Sequence, residues 1–153
     1  MPKKILKKFQ YIKLFKDKMV DFLDELIEQL PGEPVFLLLR IFVNDKIPVN
    51  DVLGRFMKDC LKYKDYVQNR NDLLFTQGDF LYSSYAEEFG REYLDQFKTF
   101  WLDEKYLSKQ SKEVVWQWFD LFYKLSMDYY TNYGPVEEWE FDLEEEMKKL
   151  EEE

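Results

Sequence analysis

The chain has no histidine and only one cysteine among its 153 residues. Histidine is the commonest general base and the commonest metal ligand, so its absence removes the side chain on which most such sites depend. The lone Cys60 excludes an intramolecular disulfide framework and favours a reducing compartment. Gly and Pro number five each, which argues against an all-β fold with many tight turns. We therefore expect no catalytic residues, no metal site and no cofactor.

Long hydrophobic runs are also lacking. No apolar stretch approaches the length of about 20 residues that a membrane-spanning helix needs. The first eight residues scatter four lysines among apolar side chains, whereas a secretory signal separates a charged start from a continuous apolar stretch. These features predict an intracellular protein without a transmembrane segment, in the cytoplasm or the nucleus.

What the chain does have is aromatic and charged side chains. Phe, Tyr and Trp make up 19% of it, and 46% of the residues are hydrophobic. A chain of 18.9 kDa with this composition can bury one substantial core, and the aromatic surplus supplies bulk for that core and for interfaces. We expect a folded protein that acts by contact.

The net charge of −9 is unevenly distributed. Residues 1–20 carry seven Lys and one Asp, whereas residues 137–153 carry ten acidic residues and two Lys. The chain thus has a basic head, an acidic body and a very acidic tail.

Apolar residues recur at steps of three and four, which is typical of amphipathic helices. Predicted helices run from Lys3 to Leu30, Val35 to Val43, Leu53 to Val67, Glu87 to Trp101, from a cap at Ser108 or Ser111 to Tyr133, and Glu137 to Glu153. The second is apolar nearly all round, which predicts a central buried helix, with a buried strand as the alternative. The predicted fold is all-α, a single irregular bundle of about five or six helices. We assign residues 1–136 to the bundle and 137–153 to an acidic helical appendage that follows the hinge Gly134-Pro135.

Three groups of residues are candidates for binding a partner. Lysines of the head could contact phosphates, although the same helix could pack its apolar face on the core and leave them solvated. Exposed aromatic residues and the acidic tail could contact a protein. The candidate interaction residues are Lys3, Lys4, Lys7, Lys8, Trp116, Trp139, Glu144, Glu145 and Glu146. Cys60 lies between Phe56 and Tyr63 on an apolar stripe, so we predict a buried structural thiol.

Two stretches resemble a known group of sequences. Tyr63 to Phe75 contains Asn69-Arg70-Asn71-Asp72, and Lys112 to Phe122 reads KEVVWQWFDLF. They are similar to the "NRD…FF" and "KEVIWK[WY]F" segments of small helical proteins encoded by giant and other nucleocytoplasmic large DNA viruses. The chain departs from that pattern at Asn71, where the group has Asp. The resemblance implies a viral source and a helical fold, and it implies no reaction.

These observations together favour a non-enzymatic viral protein for protein–protein interaction or assembly. Its expected partner is a viral or host protein, a homo-oligomer is left open, and the expected location is the host cytoplasm or nucleus, or the virion. The alternative is a nucleic-acid- or chromatin-associated factor that uses the basic N-terminal helix or the acidic tail. An enzyme ranks third.

Overall fold

The structure is a computed structural model that describes residues 6–76 and 89–151. Within these ranges the fold is all-α, as predicted, and contains no strand. The helices in chain order are α1 (Lys8–Gln29), α2 (Pro34–Ile41), α3 (Val49–Cys60), α4 (Lys64–Gln68), α5 (Leu73–Thr76), α6 (Arg91–Leu102), α7 (Lys109–Tyr133) and α8 (Leu143–Glu151). A π-helical turn, Phe42–Lys46, follows α2, and a 3-10 turn, Leu61–Tyr63, joins α3 to α4.

The centre of the core lies between α1, α3 and α7. The ring of Phe15 is fully buried, with its centroid 5.1 Å from that of Phe56 and 5.4 Å from that of Phe122. Fully burying such a side chain stabilises the fold by about 1.5–3 kcal/mol. The apolar face of α1 is therefore packed on the core, and the lysines of this helix lie on its other sides.

The longest helix, α7, begins and ends where the sequence predicts. The Ser108 hydroxyl accepts a hydrogen bond from the Ser111 amide at 3.1 Å, which caps the first turn. Gly134 ends the helix with φ +77°, a left-handed conformation that glycine adopts without strain.

The prediction that the second helix is central and buried is wrong. In α2, Val35 and Phe36 are buried, whereas Leu37, Leu38 and Ile41 are 51%, 42% and 40% exposed. The helix packs on α1 on one side, and its outer side faces solvent. Periodicity identified the apolar residues correctly but could not reveal that the helix lies at the edge of the bundle.

Several predicted boundaries also shift. The third helix ends at Cys60, and Val67 belongs to the separate helix α4. The fourth begins at Arg91 because Gly90, with φ +116°, departs from helical geometry just before it. The spacing of three and four residues also places Phe9 with Ile5 and Ile12 on the apolar face of the first helix, but Phe9 is 61% exposed. The predicted start of the fourth helix at Glu87, residues 78–84, whose composition predicts a loop, and the candidates Lys3 and Lys4 lie outside the described residues.

The segment after Gly134 is only partly helical. Val136 is buried, residues 137–142 are turns and extended chain, and α8 covers the last nine described residues. Leu143 is buried at the start of α8, and this helix packs against the 3-10 turn Leu61–Tyr63.

Candidate interaction surfaces

Trp116 lies inside an aromatic cluster rather than on the surface. Its ring is buried, with its centroid 4.9 Å from that of Phe75 and 5.5 Å from that of Trp101. The Trp101 indole N–H donates to an Asp72 carboxylate oxygen at 3.0 Å, so the polar end of that ring is satisfied. Trp116 therefore joins α5, α6 and α7 and offers a partner almost no surface.

Arg70 connects the two stretches that carry the viral resemblance. Its guanidinium donates to both carboxylate oxygens of Asp120 at 2.8 Å and to Glu113 at 3.1 Å. It also lies 5.8 Å from the centroid of the Trp116 ring. These contacts raise the pKa of Arg70, above all through the hydrogen bond with Asp120. The two stretches thus form one structural clamp between α4 and α7.

Asn71, where the chain departs from the viral pattern, has a local role. Its side-chain oxygen accepts a hydrogen bond from the Leu73 amide at 3.0 Å, at the start of α5. An Asp carboxylate can accept the same bond, so this difference does not disturb the clamp.

Trp139 fastens the C-terminal segment to α3. Its indole N–H donates to Asp51 at 3.0 Å, and its ring packs over the backbone of Gly54. The guanidinium of Arg55 lies 4.7 Å and the ammonium of Lys58 5.8 Å from the ring centroid, which are cation–π distances. This docked Trp139 makes its contacts within the chain and leaves part of its ring accessible.

The acidic candidates of α8 divide into two kinds. Glu146 is half-buried and pairs with Lys62 of the bundle at 3.6 Å and with Lys149 at 3.8 Å. Glu144 and Glu145 are exposed, and Glu145 also lies near Lys149, at 3.9 Å. Exposed pairs of this kind contribute about 0–1 kcal/mol, so the outer face of α8 is mainly a solvated acidic surface.

Fewer lysines of the basic head are exposed in the fold than their number in the sequence would indicate. Lys7, Lys8, Phe9 and Lys13 are all exposed, and the Lys8 ammonium lies over the ring of Tyr133, 5.7 Å from its centroid. Lys16 instead donates to the backbone carbonyls of Asn44 and Ile47, at 3.0 and 3.5 Å. We call Lys7, Phe9 and Lys13 the basic–aromatic end of α1.

An acidic ridge continues along the same side of α1. Its members follow Lys13 at steps of four, four, three and four, which places them on one face of the helix, and all four are exposed. They are Asp17, Asp21, Asp24 and Glu28. This spacing of acidic residues is present in the sequence, but a charge count over the first 20 residues includes only Asp17.

The apolar stripe of α2 lies beside this ridge. Its members are the exposed Leu37, Leu38 and Ile41, at positions that share one helix face. Arg40 of the same helix donates to Asp24 of the ridge at 2.5 Å, which ties the two surfaces together. We call the stripe and the ridge, taken together, the acidic–apolar end of α1.

The interior between α1, α2, α3 and α6 holds an apolar cavity of about 200 Å³. Rings such as Phe36, Phe56 and Trp101 line it, and Arg55 and Asp59 are its charged lining residues. An apolar cavity of similar size can bind a small hydrocarbon. The Cys60 thiol also lines this cavity.

Buried ionisable groups have structural partners. Burial raises the pKa of the Cys60 thiol well above its usual range, the charge of Asp59 adds to this, and Lys62 opposes it. The nearby Tyr123 hydroxyl donates to the Cys60 carbonyl oxygen, and burial likewise raises the pKa of Tyr123. A buried thiol with a raised pKa is a poor nucleophile, and the prediction that Cys60 is buried is confirmed.

Residues 6–76 and 89–151 contain neither a cluster of metal-ligating side chains nor a membrane-spanning helix. Nowhere in these ranges do three Cys, Asp or Glu side chains come close enough together to hold a metal ion. None of the helices described there is both long enough and apolar enough to cross a membrane.

Comparisons with known proteins give no relatives. No protein-family model, no curated protein and no solved structure matches the chain. The viral resemblance therefore stays a prediction that rests on the two stretches joined by Arg70.

Proposed function

We propose that the protein is a non-enzymatic interaction protein, used in assembly by the large DNA virus that the resemblance suggests, and that it binds a partner protein through the apolar stripe of α2. The observation that carries this proposal is the exposure of Leu37, Leu38 and Ile41 on a helix whose side chains are all apolar except Arg40. A helix of that composition is normally surrounded by other protein.

The chemistry of the surroundings defines the partner further. The acidic ridge borders the stripe, and Asp24 links the two through Arg40. A complementary partner surface would carry apolar side chains flanked by Lys or Arg. Such a surface is recognised by contact alone.

The nucleic-acid alternative is supported by fewer observations. Lys7, Lys8 and Lys13 are exposed, but the acidic ridge continues from Lys13 along the same helix face and would repel a phosphate backbone. Binding to DNA and RNA at two salt concentrations tests it directly, because phosphate contacts make affinity fall steeply with salt.

Substitution within the stripe tests the proposed function. A photo-crosslinking residue at position 38 should trap the partner in infected cells, and one at position 102 should not, although Leu102 is even more exposed, at 68%. With the purified partner, Leu38→Glu should weaken binding by about 2 kcal/mol, which is roughly thirtyfold in Kd, as loss of an interface anchor does. Leu102→Glu is the matched control. Equal loss of binding in both variants, or in neither, would contradict the proposal.

A further inference from the structure

The two ends of α1 present surfaces of opposite character. The basic–aromatic end offers the ring of Phe9, 61% exposed, together with the exposed side chains of Lys7 and Lys13. The acidic–apolar end offers the stripe of α2 beside four exposed carboxylates. Each surface has the chemistry that the other would bind, because an aromatic ring fits an apolar stripe and ammonium groups fit carboxylates.

These surfaces cannot meet within one molecule. Phe9 and Asp24 are fifteen positions apart on one continuous helix, which corresponds to about 22 Å along its axis. The helix is fixed to the core by Phe15, Phe22 and Leu23, all of which are buried. Their complementarity can therefore be satisfied only by another molecule.

We propose that the partner is a second copy of this chain, and that two copies pair their α1 helices antiparallel about a two-fold axis. The basic–aromatic end of each copy then lies on the acidic–apolar end of the other, so the same contact is made twice. This proposal rests on the proposed function, since it assigns an occupant to the same stripe.

The apolar and charged parts of the contact have different roles. Phe9 against Leu37, Leu38 and Ile41 would supply most of the free energy, because it removes apolar surface from water. The exposed charges would set the orientation, since a parallel arrangement places carboxylates against carboxylates. Each copy also carries a net charge of −9, so only an arrangement with this local match overcomes the general repulsion.

Charge reversal at each end of α1 provides the test, with sedimentation equilibrium of the full chain as the measurement. The wild type should approach a dimer mass as its concentration rises. A basic-end variant, Lys7→Glu with Lys13→Glu, and an acidic-end variant, Asp21→Lys with Glu28→Lys, should each raise the dimer Kd at least tenfold, because each places like charges together. The control, Lys105→Glu with Lys109→Glu, makes the same charge change at exposed positions outside α1 and should leave Kd unchanged.

Mixing the two α1 variants gives the decisive result. One variant is acidic at both ends and the other is basic at both ends, so a heterodimer restores both contacts and should form with a Kd close to that of the wild type. A wild type that stays monomeric, a mixture that does not associate, or masses that continue beyond a dimer would each overturn the two-fold pairing.

Leu38→Glu separates this proposal from the proposed function. It should raise the dimer Kd by roughly the factor expected for an interface anchor, about thirtyfold. If the chain is monomeric and Leu38→Glu still weakens binding to another protein, then self-association is wrong and the proposed function stands. If Leu38→Glu changes neither, both are wrong.

Discussion

Arg70 holds the end of α4 against α7 through two carboxylates and the face of an indole ring. The residue itself has φ +50°, in the left-handed region that a residue with a side chain adopts at some cost. Its planar guanidinium binds Asp120 through two parallel hydrogen bonds, a geometry that a lysine ammonium cannot reproduce. The clamp brings the two stretches that carry the viral resemblance into contact in the fold.

Arg70→Lys should lower the free energy of unfolding by roughly 1 kcal/mol. The figure is modest because the side chain is 32% exposed and water screens the pair. Urea denaturation measures it. Arg40→Lys is the control, since Arg40 contacts Asp24 through a single hydrogen bond and should lose less. An equal loss in both variants would show that the paired geometry at Asp120 adds nothing.

Cys60 makes stability depend on pH in a defined window. The unfolded thiol has a pKa of about 8.5, and burial raises the folded value well above that. The folded state therefore keeps a proton that the unfolded state releases, and stability falls as pH rises above about 8.5. The raised pKa of Tyr123 acts in the same direction only above about pH 10, the usual pKa of tyrosine.

Cys60→Ala should remove that fall in stability between about pH 8.5 and 10, while lowering stability at pH 7 by about 1 kcal/mol, as small core truncations do. It should not abolish partner binding. Urea unfolding at a series of pH values measures both effects. Rapid reaction of the native wild type with a thiol reagent would contradict the burial on which the prediction depends.

At the scale of elements, the C-terminal segment makes a close contact with α3 through the ring of Trp139. A methyl group at position 54 would clash with Cδ1 of Trp139 and would lie 2.8 Å from its Cγ, closer than such carbon atoms approach in real structures. Glycine is otherwise unfavourable in the middle of a helix by about 1 kcal/mol relative to alanine. The close approach of the indole ring is therefore the physical reason for glycine at this position.

The effect of Gly54→Ala on the free energy of unfolding should therefore have opposite signs in the wild type and in a Trp139→Ala background. In the wild type it should destabilise the protein and release Trp139 to solvent, which a red shift of tryptophan emission would report. In a Trp139→Ala background it should stabilise the protein by about 1 kcal/mol, through helix propensity alone. Gly32→Ala, where no atom lies within 4 Å of the added methyl group, is the control. Destabilisation in both backgrounds would mean that Trp139 is not the obstacle.

The sequence predicts a feature of a helix well when neighbouring residues determine it, and poorly when distant parts of the fold determine it. The ends of α7 could be predicted because Ser108 and Gly134 act on their own turns. The edge position of α2 could not, because an apolar sequence does not reveal how many neighbours surround a helix. Aromatic composition marked Trp116 and Trp139 as residues that make contacts, but only the fold shows that both make them within the chain.

At the scale of the whole molecule, charge is organised along α1 as much as along the chain. The sequence predicts a basic head and an acidic tail, and both survive in part, as exposed Lys7 and Lys8 and as exposed Glu144 and Glu145. Folding adds the acidic ridge that follows Lys13 on the same helix face. This reversal within a single helix depends on the spacing of Asp17, Asp21, Asp24 and Glu28, and a count of charges over the first 20 positions includes only the first of them.

The division of the molecule into residues 1–136 and an acidic appendage stays a prediction, and hydrogen exchange decides it. The contacts of the appendage with the bundle include buried Leu143, the Trp139 hydrogen bond to Asp51, and the Glu146–Lys62 pair. However, α8 has only nine described residues, too few to persist in water by itself, and its first turn holds three adjacent glutamates that repel one another. We expect the α8 amides to exchange through a local opening, well before those of residues 115–125 in α7, where Phe119 and Phe122 are buried. Trp139→Ala should speed exchange in α8 and leave α7 unchanged, because it removes an anchor without touching the core. Equal protection of α8 and α7 in the wild-type monomer would place the segment in the same cooperative unit as the bundle.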